Sequence, residues 1–228
     1  EISCSLVGSE MCIRDSLCSG FVSEVLYNGV SSAFHPYSPA EKMRIRECFG
    51  VESEKVVCFA GNFFDIKNVS LLPSIFRSVA SRYKGNVTFW LVGDGYRRKE
   101  VEADMQSSVG LKYRFWSNQP STIMPDIFNS IDVLVLPSKN EGLPLVVVEA
   151  LACGANVVGS KAGGIPEVIG AENVFDLSDT FVESTAARIV EMLEAPVEQP
   201  LAEKFRWEKT ADAECRFCHE IMKITRGG

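Results

Sequence analysis

An α/β fold built on a parallel sheet is what this sequence predicts, and three observations predict it. Short apolar runs without alternation recur along the chain, as expected of strands buried on both faces. Segments with apolar residues at helical spacing separate those runs. Glycine-bearing loops follow the strands. Repeated strand-then-helix units imply a parallel sheet with helices on both faces. Ligands in such sheets bind beyond the carboxyl ends of the strands.

The elements follow in order. Val25 to Val30 reads as a short strand closed by Asn28-Gly29. Glu41 to Phe49 reads as a helix ended by Gly50. Val56 to Ala60 is the first continuous apolar run. Leu71, Leu72, Ile75, Phe76 and Val79 then recur at helical spacing. Val87 to Val92 is the next strand, followed by a charged helix from Arg97 to Ser107. Tyr113 to Trp116 is a third strand, with a helix through Ile127 and Phe128. Val133 to Leu136 is a fourth, with its helix from Pro144 to Ala152. Asn156 to Gly159 and Asn173 to Phe175 complete the strands. Phe181 to Leu193 and a long segment from Leu201 to Ile224 complete the helices.

Composition narrows the function. The 228 residues carry 23 Lys plus Arg against 30 Asp plus Glu, a net charge of −7. That balance argues against a general nucleic-acid binder, which needs a basic face. No apolar run reaches the length of about 18 residues that crosses a membrane. No secretory signal is visible, so the expected location is cytoplasmic. The eight cysteines do not form a disulfide framework for a chain of this length, and Cys58 and Cys153 sit in apolar surroundings as small core residues. Cys215-Arg-Phe-Cys-His219 has the spacing of a covalent haem attachment. Such attachment requires export, and two cysteines on one charged helix is the reading preferred. Residues 1–19 show no periodicity. Ser5 to Ser16 resembles a recurrent translated adapter sequence, so this stretch reads as a non-native leader.

Five loops fall where ligands are expected: Gly61-Asn62, Gly93-Asp-Gly95, Trp116 to Asn118, Pro137 to Glu141, and Ser160 to Glu167. In the fourth, a strand runs into a turn holding Glu141, then Gly142, Pro144 and an apolar helix carrying Glu149. Pro144 occupies the position of a first helical residue. The helix start aims unpaired backbone N–H groups at the turn, which suits a phosphate. A carboxylate beside a phosphate pocket suits sugar hydroxyls. These features in one segment suggest a nucleotide-sugar site. Glu149, among valines and alanine, needs a partner, and ribose hydroxyls or a buried salt bridge would each supply one. Lys67, near the next helix start after Gly61, is placed to neutralise a diphosphate. Gly93-Asp-Gly95 lacks the third glycine of a dinucleotide fingerprint, since position 98 is arginine. No Ser/His/Asp set or metal cluster is visible in the sequence.

Taken in order, these pieces resemble the donor domain of retaining GT4-family glycosyltransferases. The matching segments are Tyr27-Asn-Gly-Val30, Gly61 with Lys67-Asn68, Val92-Gly-Asp-Gly95, Asp132 to Ser138, Glu141 through Gly154, Gly163 to Glu167, and Phe205 to Glu208. The resemblance implies a Rossmann-like parallel sheet flanked by helices, the C-terminal half of a GT-B fold, over residues 20–225. It implies that Glu141 contacts the transferred sugar and that Lys67 stabilises the leaving diphosphate. Gly142 and Leu143 would offer backbone N–H groups, and Glu149 would bind ribose. Gly61, Asn62, Pro144 and Leu145 complete the expected donor-binding residues. No metal and no cofactor beyond the donor are expected. Asn62 departs from the pattern, because the family usually has arginine there. A GT-B enzyme also has an amino-terminal acceptor domain, which these residues do not match.

Two functions are therefore expected of the sequence. The first is a glycosyltransferase moving a sugar from a nucleotide sugar to an acceptor with retention, in polysaccharide, glycolipid or glycoprotein synthesis. Peripheral membrane contact would come through the other half. The alternative is a nucleotide-sugar-binding fragment that transfers nothing.

Overall fold

The computed structural model describes residues 27–195 and 197–226. The leader expected over 1–19, with Cys4, Cys12 and Cys18, lies outside the described residues.

Six parallel strands form the sheet: β1 (Lys55–Ala60), β2 (Val87–Val92), β3 (Tyr113–Trp116), β4 (Val133–Leu136), β5 (Asn156–Ser160) and β6 (Val174–Phe175). Their spatial order is β3-β2-β1-β4-β5-β6, every neighbouring pair parallel. The chain winds outward from β1 to one edge, then returns to β1's other side and winds to the opposite edge. The reversal lies between β1 and β4, and crevices open at such points beyond the strand ends. The central strands are buried along almost their whole length, which is why they read as unbroken apolar runs. The edge strand β3 is only half-buried.

Helices cover the sheet: α1 (Pro39–Cys48), α2 (Leu72–Arg82), α3 (Arg98–Ser107), α4 (Met124–Ser130), α5 (Leu145–Ala152), α6 (Ile165–Ile169), α7 (Phe181–Glu194) and α8 (Trp207–Arg226). α2 packs on α3 and α7, whereas α4 packs on α1 and α5. Ser38 and Glu41 form a reciprocal capping box at the start of α1 with Pro39 in its first turn. Gly50 follows with φ 71°, the left-handed residue that lets the chain leave the helix. α2 buries Leu72, Ile75, Phe76 and Val79, and Phe76 stacks on Phe89 of β2 with ring centroids 4.5 Å apart. Burying one such side chain stabilises the fold by about 1.5–3 kcal/mol.

Three expectations need correction. Val30 is not part of a strand with the residues before it; Tyr27 to Gly29 have no regular structure, and Val30 makes a single parallel bridge to Arg206. The start expected at Val25 lies outside the described residues. The final helix does not run unbroken from Leu201. A short turn at Glu203–Phe205 precedes it, and Arg206 is extended (φ −89°, ψ 139°) before α8 begins. The long-range bridge to Val30 overrides local helical preference at that residue. Pro144 is not the first helical residue either; it caps α5 in an extended conformation (φ −75°, ψ 102°), and Leu145 begins the helix. Cys215 and Cys218 lie exposed on α8, as the helix reading expects.

Candidate active site

A cavity of about 560 Å³ opens at the strand-order reversal. The loop after β1 supplies Gly61, Asn62 and Lys67, and the segment after β4 supplies Glu141, Leu143, Pro144 and Leu145. Seven of the nine expected site residues therefore line one cavity. Ala60, Val92, Gly93, Asn118, Gln119, Met124 and Val146 complete the wall. Gly142 is exposed and outside the lining, though its carbonyl accepts from Gly164 N at 2.9 Å. Glu149 lies in a neighbouring hollow of about 370 Å³ with Ser31, Ser32, Phe34, Trp207 and Glu208. Leu145 lines both spaces and so lies between them.

Lys67 and Glu141 meet inside the cavity. Lys67 Nζ donates to Glu141 Oε1 at 2.5 Å, with 20% and 10% of the two side chains exposed. Lys67 is positioned by a single tight turn, Asp65–Lys67, closed by Asn68 in the left-handed conformation (φ 53°). Ser138 Oγ donates to the same Glu141 oxygen at 2.6 Å. The buried Ser160 hydroxyl in turn donates to the Ser138 carbonyl. Both bonds to Glu141 land on Oε1. Among the described residues Oε2 accepts none, which leaves it available to a ligand hydroxyl.

Backbone contacts fix the three loops relative to one another. Gly61 N donates to Val92 O at 3.0 Å and Phe63 N to Asp94 O at 2.9 Å. Lys139 N donates to Ile66 O at 2.8 Å, which staples the Glu141 turn to the Lys67 turn. Gly163, at φ 51°, packs so closely on Glu141 that an added Cβ would overlap its carbonyl. Gly93, at φ 129°, also lies too close to the Gly61 carbonyl for a Cβ. These two glycines are required by backbone proximity as well as by conformation.

The start of α5 faces this cavity through Leu145 and Val146. The Pro144 carbonyl accepts from Val147 N at 3.0 Å and Val148 N at 3.4 Å. The N–H groups of Leu145 and Val146 have no acceptor inside the helix, so they and the helix dipole favour an anion here. One turn further on, burial pushes the Glu149 carboxyl up to about 7. No hydrogen bond or ion pair reaches that carboxylate among the described residues, so the salt-bridge alternative has no partner in the structure.

Residues 54–195 match the family model for glycosyl transferases group 1. The chain belongs to that family. It is 29% identical over 191 residues to a D-inositol 3-phosphate glycosyltransferase of Segniliparus rotundus, covering 77% of this chain and 42% of the relative. The chain thus spans less than half the length of that curated relative. Among solved structures, sucrose-phosphate synthase from Thermosynechococcus elongatus superposes with a TM-score of 0.77 at 22% identity, covering 96% of this chain and 58% of that one. Anabaena HepE in complex with UDP superposes with a TM-score of 0.72 at 22% identity, covering 87% and 57%. At these identities the two structures bear on the fold alone. This group 1 glycosyltransferase chain has the Rossmann-like half of a GT-B fold.

Ser138 and Gly163 fall inside segments that the sequence reading named, but neither was given a role of its own there. The signal for Ser138 was its place three residues before Glu141, within reach of the carboxylate across one turn. Asn62 does line the cavity, where the family pattern has arginine. Among the described residues Lys67 is the cation that lines the cavity.

Proposed function

We propose that this domain binds a nucleoside-diphosphate sugar and presents it for transfer with retention of anomeric configuration. The observation that carries the reading is the Lys67–Glu141 pair inside the cavity at the start of α5. A diphosphate brings negative charge that competes with Glu141 for Lys67 and also meets the free N–H groups of Leu145 and Val146. As the bond from sugar to phosphate breaks, its electron pair goes to the departing phosphate oxygen. Lys67 and the helix start stabilise that growing charge. Glu141, released from Lys67 but still held by Ser138, accepts a hydroxyl of the transferred sugar through Oε2. Glu149, across Leu145, accepts the ribose hydroxyls, which need a partner-free carboxylate of this kind. The acceptor hydroxyl oxygen bonds the sugar carbon that leaves the phosphate, and its proton passes to the departing phosphate oxygen.

The family resemblance supports retention and a site that works without a bound metal ion. The UDP in the HepE complex supports uridine as the base to test first. Calorimetric titration with UDP, GDP, ADP and NAD in the presence of a chelator tests the reading. Selective binding of one nucleoside diphosphate, lost in Glu149→Ala, is the expected result. Binding of NAD in preference to every nucleoside diphosphate would overturn it.

A second reading is favoured by the 42% span of the curated relative. In it, these 228 residues hold the donor, and transfer needs further residues of a longer protein. Donor binding without transfer to any glycoside is its signature.

A further inference from the structure

A buried amide on α4 grips the chain that walls the Glu149 hollow. Asn129, in the last turn of that helix, is 1% exposed. Its Oδ1 accepts from Tyr37 N at 2.8 Å, and its Nδ2 donates to His35 O at 3.1 Å and Pro125 O at 3.0 Å. Two carbonyl acceptors and one N–H donor admit a single orientation of the amide. Two of the three bonds reach a segment 92 and 94 residues away in sequence. We propose that Asn129 is a positioning residue for the ribose subsite, acting through the turn of residues 31–34. The inference rests on the nucleotide-sugar reading above, in which Glu149 takes the ribose hydroxyls.

The turn needs such an anchor. Residues 31–38 form no helix or strand, and Ser31, Ser32, His35 and Pro36 are exposed. Little apolar burial therefore fixes this stretch. Ser31, Ser32 and Phe34 nevertheless line the hollow with Glu149. Upstream, the stretch is held at Val30, whose N–H donates to Phe205 O at 2.9 Å. Downstream, the holds come from α4. The Asn129 amide grips the backbone on both sides of Pro36, and the Tyr37 hydroxyl donates to Asp126 Oδ1 at 2.6 Å. Between the two ends, Phe34 N donates to Ser31 O at 3.0 Å, and the Phe34 ring centroid lies 6.2 Å from that of Phe128. Glu149 stands on α5, which packs on α4. The wall and the carboxylate thus share α4 as their common support.

Placement becomes affinity through entropy. Without the amide bonds the stretch loses its backbone hold on α4, and a bound ribose must order it. That ordering cost is subtracted from the binding energy. The diphosphate meets Lys67 and the start of α5 in the other cavity, which residues 31–37 do not line. Loss of the Asn129 amide should therefore separate ribose recognition from diphosphate binding.

Calorimetry at pH 8, where the Glu149 carboxyl is ionised, compares UDP with 2′,3′-dideoxy-UDP, which lacks both ribose hydroxyls. The wild-type chain should prefer UDP by about tenfold or more, the effect of hydrogen bonds to a charged acceptor. Asn129→Leu, of similar volume, should shrink that preference by about threefold or more and keep the affinity for the analogue. Met105→Ala, a core variant on α3, controls for lost stability and should keep the full preference. Where Asn129→Leu does not fold, amide exchange on the wild-type chain decides. UDP should slow exchange at Phe34 and Tyr37 more than the analogue does.

An unchanged preference in folded Asn129→Leu overturns the inference. An equal loss of preference in Met105→Ala does so too, as does an equal fall for both nucleotides in Asn129→Leu. Equal exchange with the two nucleotides has the same force. A wild-type chain that binds both nucleotides alike, or neither, sinks the ribose reading itself. Preference lost in Glu149→Ala but kept in Asn129→Leu sinks this inference alone.

Discussion

Lys67 and Glu141 join the two sides of the strand-order reversal, one carried by the loop after β1 and the other by the turn after β4, with 2.5 Å between Nζ and Oε1. The pair ties the two walls of the cavity together. A ligand that separates it must offer Lys67 another anion and Glu141 another donor, and a nucleotide sugar offers both.

Removing one member strands the other. Lys67→Met should lower stability by about 1.5–3 kcal/mol, the usual cost of losing a hydrogen bond to a largely buried charge. Lys67→Met combined with Glu141→Gln should recover much of that loss, because no unpaired charge remains. Urea denaturation of the two single variants and the double variant measures the coupling. Additive losses would mean that the pair does not interact in solution.

Gly163→Ala should harm both fold and site. The new Cβ would overlap the Glu141 carbonyl, at a backbone conformation that alanine resists. Gly110 supplies the comparison, with φ 87° and open space around its missing Cβ. Gly110→Ala should cost about 1–2 kcal/mol from conformation alone and leave nucleotide binding intact. Gly163→Ala should cost more and also weaken UDP binding. Thermal melts and calorimetry separate the two effects, and equal behaviour of both variants would count against the packing argument.

Glu149 makes the chain sensitive to pH near neutrality. Its folded-state value is raised to about 7, above the ordinary carboxylate range, because burial disfavours the charged form. Between the ordinary range and about 7 the folded chain therefore binds more protons than the unfolded one. This group's contribution to stability falls as pH rises through that window and then levels off. Glu149→Gln should flatten that part of the stability–pH curve. A parallel slope in the two proteins would show that another group is responsible.

Ligand binding should show the opposite trend. Ribose hydroxyls donate to the carboxylate, so UDP binding tightens as pH rises through about 7 and expels a proton below it. Calorimetry at pH 6.5 in buffers of different ionisation enthalpy counts that proton. The count should vanish in Glu149→Gln, and a wild-type count of zero would remove ribose from this carboxylate.

Much of the scaffold was legible because its signals are local. β2 and β4 begin and end where their apolar runs do, since buried parallel strands tolerate few polar residues. Lys67 and Glu141 were legible as members of loops that follow strands. Their mutual contact was not, because it depends on which strands become neighbours. The same holds for Gly163 against Glu141. The break before α8 was hidden for a related reason: Arg206 is extended by a bridge to Val30, far away in sequence. Pro144 was misplaced by one residue because its fixed φ suits both a first helical residue and an extended cap.

The clasp around Val30 also has a temporal meaning. Thr210 Oγ1 donates to Tyr27 O at 2.7 Å across 183 residues of sequence, beside the Val30–Arg206 bridge. Contacts of such long range wait for the intervening chain. At about 5–20 residues per second of synthesis, the partners of Tyr27 and Val30 follow them by on the order of ten seconds. Closure of the clasp therefore waits until the first turn of α8 has been made.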